Sequence, residues 1–300
     1  MANNITTITK YLPYLDEVYA NASLSAVLDT NAALVRETAD AKTVLIGKIA
    51  MNGLGNYNRA NGAGFVDGDV NLTWESHTFA YDRGRSFQID NVDNMETAGL
   101  AFASLAGQFI RTKVAPEVDA IRFSKYATGA GLGTTGTLSA STAVDAILDG
   151  ETAMKEAEVD INGAVLFVTP TVAGYIKKDS THFSHPLNPG ADPNTNFATF
   201  DGMRVVEVPQ SRFYKGITLY DGKTSGQEAG GYIKTASTGK DINFMIVDPS
   251  ALVQIAKHAR MRVFDPDTNQ SADAYKVDYR IYHDGWVLEN RTSGIYAHTK

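Results

Sequence analysis

The chain has 300 residues, 43% hydrophobic, with no cysteine and a formal charge of -7. That length suits one chain-wide fold with subdomains, and the missing cysteines exclude disulfide frameworks, thiol catalysis and cysteine-ligated metals. The acidic balance argues against a general nucleic-acid binder, no run of 18 apolar residues points to a membrane span, and the start lacks the basic-then-apolar pattern of a signal peptide.

Residues 1 to 42 are polar, with sparse apolar anchors at Tyr11, Leu12, Leu15, Val18, Leu24, Val27 and Leu28. They read as an arm with short helical pieces, too lightly apolar to form a core. Thr43 to Ala50 is a β-branched run. Val70, Leu72 and Trp74, then Phe79, Tyr81, Phe87 and Ile89, alternate with polar residues. Residues 43 to 90 are therefore predicted to form a long antiparallel ribbon. Its tip is expected to be flexible around Gly53, Gly55, Gly62 and Gly64.

Asp93 to Ala127 carries helical spacing, with Phe102, Leu105, Phe109, Val114, Val118 and Ile121 on one face. Asp93 and Glu96 have the spacing of a capping box. About 35 residues would run roughly 50 Å, more than a compact domain's width. Pro116 is expected to kink the helix near Thr112, unless a new first turn starts at Ala115, and two consecutive helices would satisfy the same pattern. A rod beside a projecting ribbon suggests a building block shaped to touch neighbours.

Gly129 to Gly136 reads as a linker, followed by a helix from about Ser141 to Ala157. Val165 to Pro170 and Phe244 to Pro249 each join an apolar strand to a Thr or Asp cap with Pro at the first helical position. Strand then helix, twice, predicts a mixed α/β subdomain, with Asp179 to Ala198 as a surface loop. Near the end Val277, Tyr279 and Ile281 alternate, Asp284-Gly285 reads as a turn, and Trp286 to Leu288 starts another strand.

Chemical motifs fall short of their requirements. Gly131-Leu132-Gly133-Thr134-Thr135-Gly136 matches the dinucleotide fingerprint by letter, but a helix precedes it where a strand is needed. Gly222-Lys223-Thr224 has five residues after Gly216 where a phosphate loop has four. Asp265, Asp267 and Asn269 start like a calcium loop, yet Gln270 and Lys276 stand where glycine and glutamate belong. His182 and His185 lack a third ligand, and Glu207 with Asp221 is an acid/base pair only if the fold joins them. No catalytic, metal or cofactor residue is assigned. The cluster Arg83, Arg85, Asp90, Asp93 and Glu96 concentrates opposite charges where ribbon meets rod. It is read as a charge-paired intersubunit contact, the alternative being an internally paired or solvated face.

Three segments carry a family resemblance, in order along nearly the whole chain. They are Tyr81-Asp82-Arg83-Gly84-Arg85-Ser86-Phe87-Gln88-Ile89-Asp90 with Asn94-Met95-Glu96-Thr97, then Val114-Ala115-Pro116-Glu117-Val118-Asp119-Ala120, and Arg280-Ile281-Tyr282-His283-Asp284-Gly285-Trp286-Val287-Leu288-Glu289-Asn290. The chain resembles the major capsid proteins of tailed bacteriophages of the Hong Kong 97 type. The resemblance implies an α+β fold with an N-terminal arm (1–42), an extended loop (43–90), a peripheral domain with a spine helix (91–128 and 259–300) and an axial domain (129–258).

It also implies a non-enzymatic structural subunit that assembles into pentamers and hexamers of a head around packaged double-stranded DNA. The acidic chain would suit a wall that encloses DNA without binding it specifically. The expected partners are copies of itself, a separate scaffolding protein (or assembly without one) since the chain begins at once with the arm, a portal and decoration proteins. No membrane or cofactor is expected, and the expected place is the virion, assembled in the host cytoplasm. The alternatives are an encapsulin-like nanocompartment shell and, from a different class, a soluble α/β enzyme or ligand-binding protein.

Overall fold

The described residues form four sheets, two of which pack on one helix. The computed structural model describes residues 23–29, 35–37, 42–57, 59, 64–91, 107–178, 199–270 and 272–300. The strands are β1 (Val35–Glu37), β2 (Thr43–Met51), β3 (Val70–Thr78), β4 (Tyr81–Asp90), β5 (Leu132–Thr135), β6 (Val165–Val168), β7 (Thr199–Phe200), β8 (Met203–Glu207), β9 (Tyr214–Lys215), β10 (Ile217–Leu219), β11 (Tyr232–Lys234), β12 (Lys240–Val247), β13 (Leu252–Phe264), β14 (Ala274–Val287) and β15 (Ile295–Thr299). The helices are α1 (Ala115–Gly129), α2 (Ala143–Glu156) and α3 (Pro170–Lys178).

The central seven-stranded sheet runs β5-β15-β12-β6-β8-β7, with β9 also on β12. β6, Val-Leu-Phe-Val, is apolar and buried at every position because both faces are covered. Along β6, Val165 and Phe167 face Phe123 and Tyr126 of α1, while Leu166 and Val168 face Val144 and Ile147 of α2 and Val172 and Ile176 of α3. Thr169 caps α3 with its hydroxyl 3.4 Å from the Val172 amide, as the Thr-Pro sequence predicts.

The second strand-to-cap unit departs from expectation. Asp248 caps a single turn, Pro249–Ala251, by accepting the Ser250 amide, and the chain then enters β13. The β-branched and alternating run after Leu252 favours a strand over a continued helix. The glycine segment after α1 is also more than a linker, because Leu132–Thr135 pairs parallel with β15. A β-carbon on Gly131 would lie 2.8 Å from the backbone of Thr292, and one on Gly133 would strike the Ala297 carbonyl. The glycines of the false fingerprint allow close strand pairing.

The second sheet is antiparallel, β13-β14-β4. Met261, Val277, Tyr279 and Ile281 on its inner face pack against Ile110, Val114 and Val118. Asp284-Gly285, read as a turn, lies inside β14. The Asp284 carboxylate is buried, accepts the Ala80 amide at 2.9 Å and pairs with Lys125. Gly285 is needed because a β-carbon there would stand 2.7 Å from the Tyr126 oxygen.

Helix α1 is entered through a π turn, Ile110–Val114, in which the Ala115 amide bonds to the Ile110 carbonyl. Pro116 lacks an amide and would crowd the Thr112 carbonyl in a regular helix, so the wider turn absorbs the expected distortion without ending the helix. The Asp93–Glu96 cap and the helical pattern up to Leu105 lie outside the described residues, as do residues 1–22 of the arm, the loop at 179–198 and the histidines within it.

Candidate assembly interface

The alternation through Phe79 and Tyr81 conceals a change of sheet. β2 and β3 pair from Thr43 opposite Thr78 to Met51 opposite Val70, whereas β4 pairs along its whole length with β14. The projecting ribbon therefore spans residues 43–78. Its root is buried, with Val44, Ile46 and Phe79 packed on Val253, and Phe79 edge-on to Trp286 at 5.1 Å. Lys48 extends the anchor by bonding Glu289 at 2.9 Å and Glu75 at 3.4 Å.

Beyond Lys48 the hairpin is exposed and still apolar. Among the described residues, the exposed large apolar side chains are Ile49, Met51, Leu54, Tyr57, Phe65, Val66, Val70, Leu72 and Trp74 on the hairpin, with only Leu148 and Ile233 elsewhere. Leu54 and Phe65 are almost fully solvated, at 107% and 85% of their reference areas. The tip has local order: Tyr57 and Phe65 meet edge-to-face at 4.8 Å, and the Asn52 amide donates to Asp69. Of the predicted tip glycines, Gly53 has open space around it, Gly55 lies against Val66, Gly64 takes a positive φ of 63°, and Gly62 lies outside the described residues.

The charge cluster is placed differently. Arg83 donates to Glu117 of α1 at 2.5 Å and to the Tyr220 carbonyl at 2.8 Å, and Arg85 donates to the Glu228 carbonyl at 3.0 Å. Both arginines are thus engaged within the chain. Asp90 ends β4, opposite Ala274, while Asp93 and Glu96 lie outside the described residues.

A buried polar site escaped the sequence reading. Asp119, with no exposed surface, accepts the Ser23 and Ser25 hydroxyls at 2.8 Å each, the Leu24 and Ser25 amides at 3.0 and 3.2 Å, and Arg212 at 3.1 Å. Arg122 donates to the Ser25 hydroxyl at 2.9 Å. Together they seat the turn Ser25–Leu28 so that Leu28 joins the central core. The available signal was an Asp and an Arg three residues apart on an otherwise apolar helix face.

The remaining chemical candidates are structural. Glu207 pairs with Lys177 at 3.0 Å. Asp221 accepts the Lys223 and Thr224 amides and the Thr224 hydroxyl, which hold its carboxyl down at about 2. The Asp265 carbonyl accepts the Thr268 and Asn269 amides in a turn. His283 is fully buried, and burial with the nearby Arg122, Lys125 and Arg83 charges depresses its imidazole to about 3. Among the described residues no group of three metal-ligating side chains converges, and no helix is long and apolar enough to cross a membrane.

No family model and no curated protein sequence matches the chain. Solved structures do. One from Mycobacterium phage Che8 matches with a TM-score of 0.60 at 15% identity, over 93% of this chain and 90% of that one. The mature capsid of bacteriophage PhiM1 gives 0.60 at 15%, over 87% and 83%. The capsid of an empty GTA particle gives 0.58 at 14%, over 93% and 89%. At such identities the likeness speaks for architecture, and with the sheets, helix and hairpin described above it establishes that this chain has the α+β, Hong Kong 97-like fold seen in phage capsids.

Proposed function

We propose that this chain is the repeating subunit of a tailed-phage head, a structural protein that self-associates into pentamers and hexamers of a closed shell around packaged double-stranded DNA. The observation that carries the reading is the hairpin. A folded chain that leaves nine large apolar side chains exposed among the described residues of one projection is unfinished as a monomer, since exposed apolar patches of that kind mark association surfaces. The fold shared with the PhiM1 and GTA capsids supports the same conclusion.

In this reading residues 1–42 are the arm, the extended loop is the 43–78 hairpin, and α1 is the spine. β4 joins β13 and β14 in the peripheral domain, and β15 joins the axial domain through its pairing with β12. Portal, scaffolding and decoration proteins are the further partners a head would use. Mass by light scattering after size exclusion, with electron microscopy of the large fraction, tests the proposal. Closed regular particles are the expected result. A persistent 32.4 kDa monomer under assembly conditions, with and without a co-expressed scaffolding protein, would refute it.

A further inference from the structure

The two sheets share α1: its start, with the π turn, packs on β13 and β14, and its later residues Phe123, Tyr126 and Ala127 pack in the central core. With the short turns Pro249–Ala251 and Glu289–Gly294 and with Leu252 and Val287 in the central core, α1 joins the sheets along one seam, the axis about which one sheet would tilt against the other. The β10–β11 hairpin supplies a second tie away from that axis.

Its base is fastened to the central sheet and α1. The Gly216 amide donates to the Ser124 hydroxyl at 3.0 Å, the Tyr232 hydroxyl to the Ser211 carbonyl at 2.8 Å, and Lys234 pairs with Asp241 of β12 at 2.7 Å. Its far end is fastened to β4 of the other sheet. There Arg83 donates to the carbonyls of Tyr220 and Gly231, at 2.8 and 3.4 Å, and Arg85 donates to that of Glu228. Arg83 is also held by Glu117 in the first turn of α1.

The loop between β10 and β11 is internally braced. The Tyr220 amide bonds to Gly231, Gln227 to Thr224, and Gly230 to Gln227. These bonds tie it into one unit. Gly222 and Gly230 have φ of +73° and +68°, and a β-carbon on either would lie 3.1 or 3.5 Å from an Arg85 nitrogen, so the loop is shaped around that guanidinium. A cleft of about 500 Å³, lined by Phe87, Phe109, Val118 and Tyr279, separates the loop from the helix and sheet. The loop bridges this space without filling it, which leaves the guanidinium bonds as its main fastening there.

We propose that Arg83 and Arg85 make the β10–β11 hairpin a strut that fixes the angle between the two sheets. Resting on the shell reading, that angle sets the curvature with which successive subunits meet. Hydrogen exchange on the unassembled chain carrying Arg83→Ala and Arg85→Ala tests the strut directly. The expected result is exchange about tenfold faster across residues 217–234, with 143–178 unchanged. If the double variant loses protection in 143–178 as well, Arg85→Ala alone, at an exposed arginine, provides the same readout.

Under conditions where the wild type forms uniform particles, the variant is expected to give mixed diameters or open sheets. Wild-type exchange at 217–234 would overturn the strut. Wild-type exchange together with lost assembly would assign the arginines to a contact with a second copy instead. The exchange experiment needs no particles, so failure of the shell reading leaves its result standing.

Discussion

Truncating Asp119 to alanine removes the acceptor that holds the segment Ser23–Asp29 in the core. The change strips partners from two hydroxyls, two backbone amides and Arg212 at a site with no solvent exposure. Arg212 loses its ion pair at 3.1 Å, while Arg122, 3% exposed, keeps the Ser25 hydroxyl and Asp29 at 3.7 Å. Breaking a buried pair in this way costs about 3–5 kcal/mol, because the remaining charge and donors stay desolvated. With an unfolding entropy of ~2.1 cal/mol/K per residue, the melting temperature should fall by roughly 5–8 °C. The loss should be local before it is global, since Leu24, Val27 and Leu28 are the segment's apolar attachments. Exchange of the Leu24 and Ser25 amides should accelerate about a hundredfold while the β6 and β12 amides keep their protection. Asp119→Asn keeps the shape and one carbonyl acceptor, so it should cost about half as much. Calorimetry of the unassembled chain and exchange mass spectrometry give both quantities. A shift below ~1 °C with protected Leu24 and Ser25 amides would show that the carboxylate network does not hold the segment.

Three further outcomes are expected. Leu54→Ser with Phe65→Ser should abolish particle formation by microscopy while moving the melting temperature by about 1 °C or less, because both side chains are solvated in the single chain. Gly285→Ala should destabilise by roughly 1–3 kcal/mol in denaturant unfolding, since the new methyl group would meet the Tyr126 hydroxyl oxygen at 2.7 Å inside a packed core. His283, held near 3 against an ordinary 6.5, binds fewer protons folded than unfolded between those values. Its contribution is fully present above pH 6.5 and is lost as pH falls toward 3, at up to ~1.4 kcal/mol per pH unit. His283→Phe should flatten the pH dependence relative to wild type across that window, and parallel curves would refute the assignment.

Readability from the sequence followed how local the signal was. The strand and cap at Val165–Pro170 were readable because a short apolar run, a hydroxyl and a proline all favour the same local structure. The projecting hairpin was readable from alternation, but its boundary was not. Alternation continues through Phe79 and Tyr81 whether the next strand pairs with β3 or with β14, and only tertiary pairing decides. Asp284-Gly285 misled for a similar reason: the pair favours turns locally, while the ion pair of buried Asp284 with Lys125 and the close approach of Tyr126 to Gly285 demand it inside a strand. The Asp119 site joins residues about 95 positions apart, and no periodicity encodes such a meeting. Arg83 and Arg85 were singled out for a contact between copies; within the chain Arg83 bonds Glu117 and two backbone carbonyls and Arg85 bonds a third, and backbone acceptors carry no sequence signature.

The apolar hairpin also limits how copies of this chain can meet. Outside it, Leu148 and Ile233 are the exposed large apolar side chains among the described residues. Hairpins pairing only with each other across a two-fold axis would bury apolar against apolar, but such an isologous contact closes at a dimer and stops. In the proposed shell each copy touches several others, so a hairpin that lies on the described surface of a neighbour meets residues that are not strongly apolar. Such a contact gains less from water exclusion per unit area and depends more on hydrogen bonds and charge placement. That dependence gives the relative angle of the two sheets its importance: polar contacts tolerate little misorientation, and a subunit whose sheets rotate freely would present them in many geometries.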